Sequence, residues 1–158
     1  MKILSLDFGT TAGWACYAEG KITSGLWVHR NSRQARFEGG GMRFLRFRRN
    51  LEEMHKLLGG IDLITYEEVR GHLSKAVDAA HIYGGFLSTL GDFAEKYEIP
   101  YEGVPVGTIK VHATGKGNAS KHAIIKAMRD KGHAPKDDNE ADALAILYWS
   151  LDEYSFLM

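Results

Sequence analysis

The chain has little cysteine, no dominant charge and no long apolar run. Cys16 is its one cysteine, which excludes an intrachain disulfide and a cysteine-based zinc site. No apolar stretch approaches the roughly 20 residues of a membrane span. The opening MKILSLDFG meets an acid at Asp7, too soon for the apolar core of a secretory signal. The expected compartment is a reducing cytoplasm. Lys and Arg number 20, as do Asp and Glu, so a uniformly basic protein is excluded. A zero sum still permits a nucleic-acid binder whose charges are sorted by region. What is present is a globular composition, 44% hydrophobic and 25% charged over 158 residues. That suits one domain spanning 1–158, since domains commonly run to about 100–150 residues.

Residues 2–8 read as a short apolar strand ending in an acid, followed by the turn Gly9-Thr10-Thr11. GWACYAEG and ITSGLWVH read as two further strands around a tight turn at Gly20-Lys21, giving three antiparallel strands. Residues 30–42 are polar, contain three consecutive glycines and read as a mobile loop. From Arg43 the stripe Phe44, Phe47, Leu51, Met54, Leu58 predicts a helix, stopped by Gly59-Gly60. Residues 61–69 read as a central strand. A long helix, N-capped at Ser74, is expected to reach about Tyr97, with a Gly84-Gly85 notch inside it. IPYEGVPVGTIKVH reads as a strand and a loop, TGKGNASKHAIIKAMRDKG as a glycine-rich loop and a helix capped near Asn118, and KDDNEADALAILYWSL as an acidic turn entering a last helix. The order β-β-β-α-β-α-β-α-α predicts an α/β fold, a mixed five-stranded sheet flanked by helices.

Acids recur at comparable topological positions. Asp7 ends the first strand, Glu67 and Glu68 end the fourth, and Asp137, Asp138, Glu140 and Asp142 crowd the start of the last helix. One acid at a strand end is ordinarily a solvated loop residue, and acids in a helix's first turn ordinarily serve its dipole. The ordered set is more informative. Converging carboxylates repel and raise one another's pKa unless a cation joins them. Two Mg²⁺ ions about 4 Å apart relieve that repulsion and suit phosphodiester hydrolysis.

The segments LSLDFGTTAGWA, ITYEEV, IKVHATGKGNASKHAII and NEADALAI together resemble the RuvC family of Holliday-junction resolvases, within the ribonuclease-H-like superfamily. The resemblance spans nearly the whole chain, and the short form is most similar to resolvases carried by bacteriophages. It implies a ribonuclease-H-like fold and a metal-dependent endonuclease of branched DNA, using two Mg²⁺ ions (or Mn²⁺) and leaving 5′-phosphate ends. It implies Asp7, Glu67 and Asp142 as metal-binding, catalytic acids. The family carries an acid or a histidine three residues before the last of these, where this chain has Asn139. Asp138 is the expected fourth ligand, ahead of Asn139, with Glu68 a weaker alternative.

Charge is sorted along the chain. Residues 30–56 hold eight basic side chains against three acids, residues 110–131 six against one, and residues 137–158 six acids with no Lys or Arg. The basic regions are expected to hold phosphates through Arg43, Arg46, Arg49, Lys110, Lys116 and Lys121, with Lys75 beside them. An arginine-bearing helix face is as often merely solvated. The loop Thr114–Asn118 is the better phosphate site, because its glycines permit close approach, and Lys121 matches a family lysine near the active site. Phe37 reads as a hydrophobic staple before it reads as a wedge into an opened junction. The seven histidines lack metal-ligand spacing, though His112 and His122 flank the basic loop and are candidates for phosphate contact.

Two other function classes fit some of these residues. Asp-Phe-Gly-Thr-Thr also resembles the phosphate loop of sugar kinases and actin, but those folds need two such halves. A non-catalytic junction-binding protein of the same fold is the third reading, disfavoured by the intact acids. A homodimer is expected, since a four-way junction is twofold symmetric and paired nicks need two sites. The Gly84-Gly85 notch is a candidate for the subunit contact, or for packing within the chain.

Overall fold

The computed structural model describes residues 1–30, 39–70 and 77–158. Ser74, Lys75 and Phe37 therefore lie outside the described residues. The elements are β1 (Ile3–Asp7), β2 (Thr11–Ala18), β3 (Lys21–Val28), α1 (Met42–Leu58), β4 (Leu63–Glu68), α2 (Val77–Lys96), β5 (Tyr101–Pro105), α3 (Val106–Thr114), α4 (Lys121–Asp130) and α5 (Asp138–Glu153), then a 3₁₀ turn at Ser155–Leu157. They build a five-stranded sheet in the order β3-β2-β1-β4-β5. β1 runs antiparallel to β2 and parallel to β4, which is parallel to β5. This is the expected mixed α/β sheet.

Alternation along the strands splits the core into two layers. Leu4, Leu6, Cys16 and Ile64 face α1 and α2, packing on Phe47, Leu51, Phe86, Leu90 and Phe93. Ile3, Ala15, Leu63 and Val104 face α3, α4 and α5, packing on Ile109, Ile124, Met128, Leu144 and Leu147. The same period of two sends Asp7 to the α5 side with Ile3, and Glu67 there with Leu63. Between those apolar and acidic positions lie Ser5 and Thr65, both fully buried. Their hydroxyls are 2.7 Å apart, Thr65 Oγ1 is 2.8 Å from Ser150 Oγ, and Ser150 donates to the Ile146 carbonyl at 2.8 Å. One chain of hydroxyls thus crosses β1, β4 and α5, and each polar atom in it is satisfied.

Four local expectations need correction. The β2–β3 turn is Glu19-Gly20, not Gly20-Lys21: both residues have positive φ (52° and 77°) and Ala18 pairs with Lys21, the geometry of a two-residue hairpin. The segment after β5 is helical rather than a loop. Its β-branched residues and Gly107 disguise α3, which starts directly after the extended Pro105, where a missing N–H costs nothing. α4 is capped by Ser120, whose hydroxyl accepts from the Ala123 N–H at 3.2 Å, two residues beyond Asn118. Lastly, Asp137 caps α5 by accepting from the Glu140 N–H at 2.9 Å, so the helix begins at Asp138, and of the acids expected at its start Asp142 falls in the second turn.

The glycine notch is divided in use. A Cβ on Gly85 would lie 2.3 Å from the Phe44 ring, so α1 fills that half. Gly84 is exposed, and among the described residues no side chain or other element comes within 4 Å of where its Cβ would be.

Candidate metal centre

Asp7 and Glu67 stand at the carboxyl ends of neighbouring parallel strands, each one residue past the last pair of their ladder, Leu6↔Tyr66. α5 crosses the same face and adds Asp142. One carboxylate oxygen from each of the three lies within 4.8 Å of the others. The first turn of α5 is pressed onto β2 to reach this position. A Cβ on Gly13, the partner of Asp7 in the β1–β2 ladder, would fall 1.8 Å from the Asn139 carbonyl oxygen. Glu140, only 5% exposed, then fastens the helix from its other side. It accepts from Ser24 Oγ and from the Lys136 N–H, each at 2.8 Å.

The turn after Asp7 is held as firmly. His29 is fully buried at the end of β3. Its Nδ1–H donates to the Gly9 carbonyl at 3.1 Å, and Nε2 accepts from Asn50 of α1 at 3.1 Å. Burial lowers the pKa of this imidazole, which keeps the neutral tautomer that both bonds require.

Electrostatics sets the three acids apart from the rest of the surface. Burial, then the charges of Glu67 and Asp142, push Asp7 well above the ordinary carboxylate range. Asp142 is pushed up to about 7, by burial first and then by Glu67 and Asp138, with Lys110 and Lys121 pulling the other way. Oxygen-only donors, closely spaced and mutually repelling, are what a hard divalent cation binds. The residues therefore fit such an ion.

A stability consequence follows for the metal-free protein. The native pKa of Asp142, about 7, exceeds its ordinary 3.8. Its stabilising proton is fully present below the unfolded value and is lost as pH rises through the native one. Asp142→Asn is therefore expected to melt higher than the wild type at pH 8 in EDTA. That advantage should shrink as pH falls from about 7 towards 4. Comparing the two proteins cancels the opposing contribution of His29. Differential scanning calorimetry across pH checks this, and a pH-independent difference contradicts it.

The remaining sequence-predicted residues divide. Lys110 of α3 and Lys121 of α4 line the cleft beside Glu67 and Asp142. Asp138 lies outside the cluster of three, but its charge raises both Asp7 and Asp142, and its carboxylate is 3.2 Å from Lys121 Nζ. Asn139 turns instead to Asp137, donating from Nδ2 to Oδ2 at 3.2 Å. Glu68 alternates to the opposite face of the sheet and pairs with Arg70 at 2.8 Å. Lys116 is exposed in the loop that Gly115 opens with a φ of 81°. Arg43, Arg46 and Arg49 ride on α1, in the layer opposite α5. Lys2 reaches the Leu58 carbonyl, so α1 ends beside the start of β1 and its N-terminal half, with Arg43 and Arg46, points toward the acidic end of the sheet. Their neighbour Arg48 is engaged within the chain by Glu52 and Asp92. His112 is taken up by Asp152 at 2.7 Å rather than directed at the basic loop. Glu140 was read only as one of the acids at the start of the last helix, and Gly13, Ser24 and His29 were not singled out from sequence. Only Gly13 carried a signal, as a glycine inside a strand where another backbone approaches.

A mixed sheet of this order, with acids at the ends of its first and fourth strands and on a helix crossing them, is the ribonuclease-H-like fold. Among solved structures the chain is similar to Thermus thermophilus RuvC, with a TM-score of 0.73 and 22% identity over 99% of this chain and 96% of that one. It is similar to T. thermophilus RuvC in complex with a Holliday junction substrate, at 0.72 and 22% over 92% and 90%. The yeast mitochondrial Holliday junction resolvase Ydc2 follows at 0.57 and 13%, over 91% of this chain and 75% of that one. No family model and no curated protein sequence matches the chain. The fold is thus that of the RuvC structures over essentially the full length of both. None of these three is a bacteriophage protein, so the narrower phage-type likeness rests on sequence alone. No described helix is long and apolar enough to cross a membrane.

Proposed function

We propose that the protein is a metal-dependent endonuclease that cuts branched DNA, Holliday junctions foremost, by paired nicks. The observation carrying this reading is the convergence of Asp7, Glu67 and Asp142 within 4.8 Å, beside a cleft lined by Lys110 and Lys121. A fold shared with resolvase structures over its full length supports it. Asp7, Glu67 and Asp142, with Asp138 as fourth ligand, would hold two Mg²⁺ or Mn²⁺ ions. When bound, these supply an activated water and neutralise the leaving oxygen, giving 5′-phosphate and 3′-hydroxyl ends. Lys110 and Lys121 screen the scissile phosphate from the acids, and Lys116 and the amides of its loop hold a neighbouring phosphate. The arginines of α1 extend the basic track on the other layer of the same end. A homodimer supplies one site per strand, matching the symmetry of the junction. It acts in the cytoplasm, where branched DNA arises.

The test is a gel assay with Mg²⁺ on a four-way junction, a flap and a linear duplex. Symmetric nicks in the junction support the proposal. Binding without cleavage under any divalent ion assigns the chain to a junction-binding role, and indifference to all three DNAs removes the reading.

Lys116→Ala and Lys121→Ala are each expected to weaken junction binding and to lower the slope of log K against log salt by roughly 0.9, one phosphate contact apiece. Fluorescence anisotropy in EDTA from low to moderate salt measures this. Unchanged slopes in both variants place the two lysines on a solvated face.

A further inference from the structure

We infer that Tyr83 is a positioning residue for Glu67, and that its hydroxyl sets the metal affinity of the centre. The inference rests on the metal-centre reading above and adds a residue to it. β4 carries Glu67 past its support on the β1 side. Its ladder with β1 ends at Leu6↔Tyr66, so Glu67 is paired from one side alone, with Val104 of β5, and that ladder ends one residue later at Glu68↔Pro105, where the proline brings no N–H. A strand end held from one side is prone to fray, and a frayed end cannot hold a carboxylate in a fixed place. Tyr83, from α2, supplies support where β1 has stopped. Its hydroxyl donates to the Glu67 carbonyl at 3.0 Å and accepts from the Val69 N–H at 3.3 Å. One oxygen thereby satisfies backbone groups on both sides of Glu68 and fixes the conformation between them.

The ring of the same residue reaches the other ligand-bearing strand. Its centroid is 5.7 Å from that of Phe8, the residue after Asp7, and Phe8 stacks on Tyr66, the residue before Glu67, at 5.2 Å. Tyr83 therefore touches the backbone of Glu67 by hydrogen bonds and the neighbour of Asp7 by packing, on the face of the sheet opposite the carboxylates. Its link to the carboxylates runs through the backbone of Glu67 and the ring of Phe8. Groups that orient ligands in this way are known to change metal affinity strongly when removed.

The test is Mn²⁺ binding to the full chain without DNA, followed by the electron paramagnetic resonance signal of free Mn²⁺. Tyr83→Phe keeps the ring and deletes the hydroxyl. It is expected to weaken Mn²⁺ binding roughly tenfold. Thr89→Val removes a comparable hydroxyl on the same helix, one that donates to the Gly85 carbonyl at 2.8 Å away from the acids. This control is expected to lose some thermal stability and no affinity. Equal Mn²⁺ affinity in Tyr83→Phe and wild type, or equal weakening in both variants, overturns the role of Tyr83. Wild-type protein that binds no Mn²⁺ overturns the metal-centre reading first, so the two failures are distinct. A second measurement needs no variant. The Val69 amide of the wild type should be protected from hydrogen exchange before metal is added, and exchange at the rate of an open loop would by itself sink the inference.

Discussion

Asp7→Asn protein is expected to bind a four-way junction at least as tightly as the wild type and to nick it on the order of a thousandfold more slowly, about 4 kcal/mol of barrier at 1.36 kcal/mol per tenfold. Both halves of this expectation come from position. Asp7 is 8% exposed at the centre of the acidic group, flanked by Glu67 and Asp142. An amide of nearly equal shape loses a charged metal ligand without opening a cavity. It also removes one of three negative charges that would face a phosphodiester, so metal-free binding has less repulsion to overcome. The metal-free fold should gain as well, because burial and two neighbouring charges oppose ionisation of Asp7 in the native state. Single-turnover nicking, anisotropy in EDTA and thermal melting check the three effects on one preparation. Full-rate nicking by purified Asp7→Asn would falsify the assignment of this centre.

The strands and their acids were legible because they follow local rules. Short apolar runs that end in acids put Asp7 and Glu67 at strand ends, and the pairing of the two strands in parallel at Leu6↔Tyr66 then sets both on one face. Of the predicted α1 stripe, Phe47, Leu51 and Met54 are buried, and Phe44 and Leu58 at its two ends are partly buried against the same core. What failed was local structure that tertiary contacts override. α3 has the β-branched composition of a strand and becomes a helix because Pro105 turns the chain and Ile109 buries its apolar side against α5. The notch at Gly84-Gly85 signalled a close approach without naming the partner, and its Gly85 half accepts Phe44. The supports of the site were least legible of all. Ser5, Thr65 and Ser150 are common residues at unremarkable positions, and the two links of their hydroxyl chain bridge 60 and 85 residues of sequence. His29 shows no metal-ligand spacing because it binds a carbonyl, not a metal. No single-chain pattern announces such pairings; only the register of β1 against β4 brings them together.

The choice between Asp138 and Asn139 illustrates the same point and carries the second large effect. Spacing alone permits either, since residues three and four before Asp142 both share its helix face. Packing separates them. The backbone of Asn139 rests on Gly13, and its side chain is turned to Asp137. Asp138 instead adds its field to Asp7 and Asp142 and is balanced by Lys121 at 3.2 Å. That ion pair is exposed on the lysine side and is worth little on its own. Asp138 can therefore be drawn from Lys121 by a divalent charge at small cost, while turning the Asn139 amide to a metal would break its hydrogen bond to Asp137. A carboxylate is also the stronger Mg²⁺ ligand and supplies charge that an amide does not. Asp138→Asn is accordingly expected to raise the half-saturating Mn²⁺ for single-turnover cleavage by roughly 10- to 100-fold, and to slow the Mg²⁺ reaction more than the Mn²⁺ reaction. Asn139→Ala, which keeps the backbone on Gly13, is expected to stay within about threefold of wild type on both counts. Parallel titrations of the two variants decide it: an Asn139→Ala protein that has lost its metal response, beside an Asp138→Asn protein that keeps it, would move the fourth ligand to the amide and leave Asp138 as a partner of Lys121 alone.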